Sequence, residues 1–96
     1  MTLTVIGIPW YSRKNWPVLR TIFVDASDLH DTFDEWRSSA GNLESRMRQQ
    51  GFIVERIDID PETFPQWCKS RRLKTDAQAR SKFAGEVARE KHPDTD

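Results

Sequence analysis

The sequence predicts a small α+β domain in which two strands, paired on one side, pack against about four helices in the order β-α-α-β-α-α. Three observations carry this prediction: two β-rich runs, a long apolar stripe with helical spacing between them, and helix-start signals in the last third of the chain. A length of 96 residues suits one domain. We therefore expect a single globular domain over residues 1–91 and a frayed tail over 92–96, which holds Pro93 and no large apolar residue.

The two β-rich runs predict the strands. The first covers residues 3–8, and Pro9 ends it because proline cannot donate to a sheet ladder beyond that point. The second covers residues 52–59, where apolar residues alternate between two sides. Two strands bury too little surface alone, so they must lie against the helices. The segment between them is long enough for a parallel crossover, but the sequence leaves parallel and antiparallel pairing open.

The strongest pattern in the chain is one continuous apolar stripe with helical spacing, formed by Leu29, Phe33, Trp36, Ala40, Leu43 and Met47. Thr32 and Glu35 form a capping box at its start, and Gly51 supplies the left-handed residue that ends it. Gly41 weakens the helix by about 1 kcal/mol relative to alanine. The pattern predicts an amphipathic helix over residues 32–50.

Before this long helix, Asn15 and Pro17 predict the start of a short helix over residues 16–24. Its buried face follows the i, i+3, i+4, i+7 spacing of Leu19, Ile22, Phe23 and Ala26.

The last third of the chain predicts two more helices. Asp60 and Thr63 are alternative starts for the first of them, the latter with Gln66 in a capping box. Thr75 opens another capping box, and the helix that follows ends near Lys91. Together the elements predict a core of Ile6, Ile8, Leu19, Phe23, Phe33, Trp36, Leu43, Ile57, Phe64, Trp67 and Phe83.

Composition excludes several classes of protein. Fifteen basic residues balance fifteen acidic ones, so the whole molecule exerts no strong pull on nucleic acid or a membrane surface. Cys68 is the one cysteine, which excludes an internal disulfide and a cysteine-rich zinc site. No run has the length of a membrane span or the charged start of a signal peptide, and we expect a cytoplasmic protein without a cofactor.

Two groups have the residue types for catalysis. Cys68 precedes Lys69 near a helix start, which lowers a thiol pKa, but its position beside Trp67 suits a small buried apolar group better. His30 and His92 show no spacing that identifies a partner for it. The carboxylates Asp58, Asp60 and Glu62 at the end of the second strand are candidate cation ligands, although helix capping and the helix dipole explain all three.

Charge is segregated between two segments. The acidic one lacks the glycine and terminal glutamate of a calcium loop, and helix initiation explains it: Asp25, Asp28, Asp31, Asp34 and Glu35. The basic one spans residues 69–82 and offers contacts to phosphates through Lys69, Arg71, Arg72, Lys74, Arg80 and Lys82. A solvated basic face is the simpler interpretation, since no nucleic-acid-reading motif is present.

A predicted loop interleaves aromatic and basic residues: Trp10, Tyr11, Arg13, Lys14 and Trp16. This composition suits a protein interface or stacking on bases. We assign Trp16 to packing and keep Trp10 and Tyr11 as interface candidates.

Four stretches of the chain carry a resemblance to other proteins: IGIPWYSR, DTFDEW, IDIDPETFPQWC and ARSKFA. In these stretches the chain resembles a group of short, uncharacterised bacterial proteins. The resemblance implies a shared fold and no catalytic residues.

The absence of a catalytic set favours a non-enzymatic accessory or adaptor protein that binds another protein near Trp10, Tyr11 and the 69–74 connector. The alternative is a nucleic-acid binder that uses the basic segment, with affinity that falls steeply with salt and on replacing Arg71 and Arg72 by alanine. A small enzyme built on Cys68 or on the three carboxylates is the weakest hypothesis.

Overall fold

A computed structural model describes residues 4–92 of the chain. Its elements are β1 (Val5–Trp10), α1 (Trp16–Ile22), α2 (Phe33–Gln49), β2 (Ile53–Asp58), α3 (Thr63–Ser70) and α4 (Ala77–Lys91), with a 3-10 turn at Ala26–Asp28. The predicted α+β class and the order β-α-α-β-α-α are confirmed. Leu3 and residues 93–96 of the predicted tail lie outside the described residues.

The two strands form a parallel sheet, which settles the choice that the sequence left open. Val5 lies opposite Ile53 and Trp10 opposite Asp58. The connection between the strands carries α1 and α2, as a parallel crossover requires.

The prediction that Pro9 ends the first strand is wrong, because β1 continues through it to Trp10. Ile53 N donates to Thr4 O, and Ile59 N donates to Trp10 O, both at 3.0 Å. Backbone groups alternate along a strand, so the even-numbered residues of β1 face β2 and Pro9 directs its nitrogen to the free edge. Proline therefore costs this ladder no hydrogen bond.

A helix covers each face of the sheet. On one face, Gly7 of β1 lies so close to α4 that a Cβ built there would stand 2.1 Å from the carbonyl oxygen of Ala84. On the other face, the ring of Trp10 meets the edge of Trp36 in α2 at a centroid distance of 5.2 Å. Successive side chains of a strand point to opposite faces, so the alternation of β1 decides which helix each residue meets.

The predicted start of α2 is confirmed, but only Trp36 and Ala40 of the predicted apolar stripe are fully buried. Thr32 accepts a hydrogen bond from Glu35 N and donates to Glu35 Oε1, which is the capping box. Gly51 has a φ of 94° just after the helix. Leu43 is half-buried, however, while Glu44 beside it is buried because its carboxylate receives two hydrogen bonds from Arg56, at 2.7 and 2.8 Å.

Two helix ends differ from the predicted ones, and at α3 the structure selects one of the two predicted starts. α1 ends at Ile22 because Phe23 adopts an extended backbone. Asp60, not Thr63, provides the cap at α3, since its Oδ1 accepts from the amides of Glu62 and Thr63.

The start of α4 also uses another residue than the predicted Thr75. Asp76 caps the helix by accepting from Ala79 N at 3.0 Å. The Thr75 hydroxyl instead donates to Ile22 O at 2.8 Å, so this side chain ties the start of α4 to the end of α1.

An aromatic cluster fills the space beyond the carboxyl ends of the strands. It contains Tyr11, Trp16, Leu19, Phe23, Trp36, Ala40, Ile59, Phe64, Cys68 and Ala79. Six of the predicted core residues are buried: Ile8, Leu19, Phe23, Trp36, Ile57 and Phe64. The other five are half-buried at the margin of the core: Ile6, Phe33, Leu43, Trp67 and Phe83.

Candidate functional site

The predicted basic connector, residues 69–74, runs from the end of α3 toward α4 with a fixed backbone. The amides of Arg71 and Leu73 both donate to Cys68 O, at 3.1 and 2.9 Å. Arg72 adopts a left-handed backbone with a φ of 58°. Beyond the connector, Val24 N donates to Thr75 O at 3.2 Å. The connector is thus held at both ends by the folded core.

Among the described residues, Arg71 is the one cation of the connector that neighbouring side chains hold in place. Its guanidinium lies 4.5 Å from the centroid of the Trp67 ring, and Nη2 lies 3.0 Å from a carboxylate oxygen of Glu86. A cation over an indole face and a carboxylate partner together fix the side chain. Arg71 therefore contributes little free charge.

The other basic side chains of the connector point to solvent. Lys69, Arg72 and Lys74 are exposed, and none forms an ion pair within residues 4–92. Lys74 and Lys82 also line a surface depression of about 370 Å³ with Leu73, Asp76, Gln78 and Ala79. The connector thus presents positive charge next to a partly apolar recess.

The aromatic loop differs from the predicted interface at Tyr11. Tyr11 is only 4% exposed, and its ring packs 4.6 Å from that of Trp36. Burial raises the pKa of the Tyr11 hydroxyl, with neighbouring Arg80 acting in the opposite direction. Tyr11 is a core residue, and the prediction that it is an exposed interface residue is wrong.

Of the remaining residues of the loop, Trp10, Arg13 and Lys14 lie at the surface, and the first two contact neighbouring side chains. Trp10 lies between two guanidinium groups, those of Arg37 and Arg56, at 4.9 and 4.1 Å from its ring centroid. Arg13 lies over Phe33 and pairs with Asp34. Lys14 and Trp16 complete the loop, the first exposed and the second buried as predicted. Within the described chain, no hydrogen bond, ion pair or ring contact joins Trp10, Arg13 or Lys14 to the connector.

The two candidate catalytic groups have surroundings that oppose reactivity. Cys68 is 1% exposed, and burial raises the pKa of its thiol. Asp60 uses Oδ1 to cap α3, and those two amides lower the pKa of its carboxyl. Burial and the charge of Asp60 raise the pKa of Asp58. Across residues 4–92, no three His, Cys, Asp or Glu side chains come together in a way that would hold a metal ion.

The acidic segment is divided among internal partners. Asp25 receives two hydrogen bonds from Arg80, at 2.8 and 3.0 Å, and these bonds lower the pKa of its carboxyl. Asp34 pairs with Arg13, and Glu35 belongs to the cap of α2. The basic and acidic segments therefore meet, but through one pair at the core and not along their exposed faces.

The Asp25, Arg80 and Tyr11 group is the feature that sequence reasoning missed. The sequence places Arg80 in the exposed basic segment, but Arg80 is buried, and its guanidinium carbon lies 4.2 Å from the centroid of the Phe23 ring. A signal was present, because Arg80, Ala84 and Ala88 follow one another at intervals of four on the buried face of α4. An arginine in such a stripe needs an acidic partner, and the chain offers one at Asp25.

His92 lies just past α4 and contacts the sheet. Its Nε2 stands 2.6 Å from Glu55 Oε1 in β2. This residue, predicted to begin the frayed tail, is therefore packed.

Comparisons with known proteins do not assign the chain to a family. No protein-family model, curated protein or solved structure matches the chain. Among the helices of residues 4–92, none combines the length and apolarity that crossing a membrane would take. The fold and the surface geometry are therefore the observations from which a function has to be argued.

Proposed function

We propose that the protein is a non-enzymatic adaptor that binds an acidic segment of a partner protein through the basic connector. One observation carries the proposal: Lys69, Arg72 and Lys74 are exposed cations without an ion-pair partner in the described chain, on a backbone that is already fixed. Tyr11 has no part in this surface.

A fixed backbone matters because association is opposed by the entropy of ordering loops and side chains. The amides of Arg71 and Leu73 are bound to Cys68 O, and Thr75 is tied to the end of α1. The connector is therefore ordered before any partner arrives. The adjoining recess, with Leu73 and Ala79 in its lining, would take an apolar side chain that follows the acidic residues.

The aromatic side chains near the connector favour a protein partner over single-stranded nucleic acid. Base stacking needs an open ring face. The Trp67 ring is stacked on Phe64 at an interplanar angle of 15°, meets Phe83 at its edge, and has Arg71 over it. It therefore offers no free platform for a base.

A catalytic function has less support from the same geometry. The Cys68 thiol is shielded from solvent, and its raised pKa keeps it protonated at neutral pH. Asp60, the central carboxylate of the second candidate group, is committed to helix capping.

Fluorescence anisotropy with a labelled oligoglutamate peptide tests the proposal. Glutamine replacements at Lys69, Arg72 and Lys74 are expected to weaken binding at least about tenfold, because each removes a charge-assisted contact. The matched control removes three exposed cations elsewhere, through Arg46→Gln, Arg89→Gln and Lys91→Gln, and should bind like the unmodified protein.

A DNA duplex of matched charge distinguishes the two classes of partner. Tighter binding of the duplex than of the peptide, with a steep dependence on salt, would replace the proposal by the nucleic-acid alternative. Absence of any peptide binding at low salt would remove the acidic-partner proposal.

A further inference from the structure

The outer edge of β2 carries unpaired backbone groups. Ile53 and Ile59 direct their amides to β1, so alternation directs the backbone groups of Val54, Arg56 and Asp58 away from it. None of these outward groups takes part in a hydrogen bond within residues 4–92. An open row of donors and acceptors is a template for another strand.

The outer edge of β1 is differently built. Pro9 removes a donor from it, and Leu29 and His30 line the same depression as Ile8 and Pro9, so other parts of the chain flank this edge. β2 contains no proline between Ile53 and Asp58. As far as residues 4–92 show, the sheet is therefore open to extension on the β2 side.

We propose that two copies of this chain pair antiparallel along β2, with Arg56 of each copy opposite Asp58 of the other, and form one four-stranded sheet. Arg56 and Asp58 both have outward backbone groups, so each Arg56–Asp58 pair between the two copies exchanges two backbone hydrogen bonds. The proposal is independent of the basic connector.

Charge complementarity selects a second copy and this register. Arg56 binds Glu44 through Nε and Nη2, which leaves Nη1 without a hydrogen bond in the described chain. Asp58 is exposed and forms no ion pair there. The two-fold axis brings these groups together twice, whereas the next register places Arg56 opposite its own copy, where like charges repel.

The covering helices fit the enlarged sheet. Neighbouring strands lie about 4.8 Å apart, and a helix with its side chains is about 10 Å wide, so one helix covers about two strands. Each copy brings two strands with α2 on one face and α4 on the other. Side by side, two copies would cover each face of four strands with two helices.

Sedimentation velocity and amide hydrogen exchange test the pairing together. We expect a dimer that forms with rising concentration, and slow exchange at the outward amides of Arg56 and Asp58 in the concentrated sample, because these two residues pair with each other across the dimer. The odd-numbered amides of β2 are bonded to β1 and should exchange slowly at every concentration, so they serve as the internal reference.

A charge reversal tests the register. Asp58→Lys sets two cations opposite each other at each pair and is expected to raise the dissociation constant of the dimer at least about tenfold. Asp31→Lys makes the same charge change at an exposed site away from β2 and should leave the dimer intact. A protein that stays monomeric, or a dimer whose outward β2 amides exchange fast, would overturn the proposal.

Discussion

Arg80 shows how a single charge is tolerated inside this small core. The residue is 5% exposed, and its guanidinium donates to both carboxylate oxygens of Asp25. Burying a charge costs several kcal/mol unless a partner and hydrogen bonds compensate it. The pair joins the segment after α1 to α4, which lie far apart in the sequence, so it fixes how the two halves of the chain meet.

Removing Arg80 should therefore be strongly destabilising. Arg80→Ala leaves the Asp25 carboxylate without its partner and opens space beside Phe23, and we expect the free energy of unfolding to fall by about 3–5 kcal/mol. Urea unfolding followed by circular dichroism measures the change. Arg46→Ala, at an exposed arginine without an ion pair in the described residues, is the control and should change it by less than about 0.5 kcal/mol. Equal effects of the two variants would contradict the role assigned to the pair.

The same pairs predict a dependence of stability on pH. Hydrogen bonds from Arg80 and Arg56 hold the pKa values of Asp25 and Glu44 below their ordinary values of 3.8 and 4.5. The ionised forms thus stabilise the folded state above these ordinary values, and this contribution is lost as the pH falls through the lower pKa values of the folded state. Urea titrations should show nearly constant stability from neutral pH to about pH 5 and a decline below about pH 4.

The double variant Asp25→Asn, Glu44→Gln is the matched comparison for the pH series. It should be less stable than the parent at pH 7, and the difference should shrink as the pH is lowered. A difference that stays constant from pH 7 to pH 3 would mean that these carboxylates do not couple folding to protonation.

Among the elements, α2 contributes the side chain with the most aromatic neighbours described here. Trp36 is 7% exposed and packs against Trp10, Tyr11, Trp16 and Phe33, with centroid distances from 4.6 to 6.0 Å. Trp36→Ala should lower the free energy of unfolding by about 3–5 kcal/mol through the cavity that it leaves. Val18→Ala, at an exposed position of α1, should cost less than about 0.5 kcal/mol. Thermal melting of both variants checks this, and a parent-like melting temperature for Trp36→Ala would contradict the position of α2.

Two glycines test the contact between β1 and α4. A Cβ at Gly7 would meet backbone atoms of Ala84, which cannot turn aside, so Gly7→Ala should cost at least about 2 kcal/mol. In Gly85→Ala the new Cβ meets only the Arg89 side chain at 3.6 Å, and higher helix propensity should add about 0.5–1 kcal/mol. Opposite signs in denaturant unfolding are the expected outcome, and a tolerated Gly7→Ala would refute the close approach.

For the whole molecule, Cys68 provides a probe of global unfolding. It is the only cysteine in the sequence, and it lies on α3, buried within the aromatic cluster. We expect its labelling by a maleimide to be slow in buffer and to accelerate with urea as the unfolded population grows. The variant Cys68→Ser, Ser70→Cys moves the thiol to an exposed position and should label rapidly without urea. Rapid native labelling of Cys68 itself would show that α3 opens independently.

Local patterns predicted the elements well because their causes are local. The stripe through Trp36 and the Thr32 cap act within a few turns, so they identify α2 from sequence alone. Contacts between distant segments leave no such trace. The Thr75 hydroxyl donates to Ile22 O and so does not form the predicted capping box. Pro9 is tolerated in β1 because its nitrogen points to the edge of the sheet and not to β2. Neither outcome can be predicted from the neighbouring residues alone, because each depends on contacts with a distant segment of the chain.

The candidate surface was predictable to a similar extent. A run of lysine and arginine tends to be solvated, and Lys69, Arg72 and Lys74 are exposed. Composition alone cannot separate an aromatic residue at an interface from one in a core, and Tyr11 proved to be the latter. For Arg80 the error is the reverse: the sequence predicts an exposed residue, and the structure shows a buried one. Its burial depends on Asp25, which is 55 residues away.

The order of contacts along the chain has a consequence for synthesis on the ribosome. β1 is synthesised before two of the elements that pack against it, since its strand partner begins at Ile53 and the helix that packs on Gly7 does so through Ala84. The face of the sheet that carries Gly7 therefore stays uncovered until α4 has been synthesised, first on β1 alone and then on the β1–β2 pair.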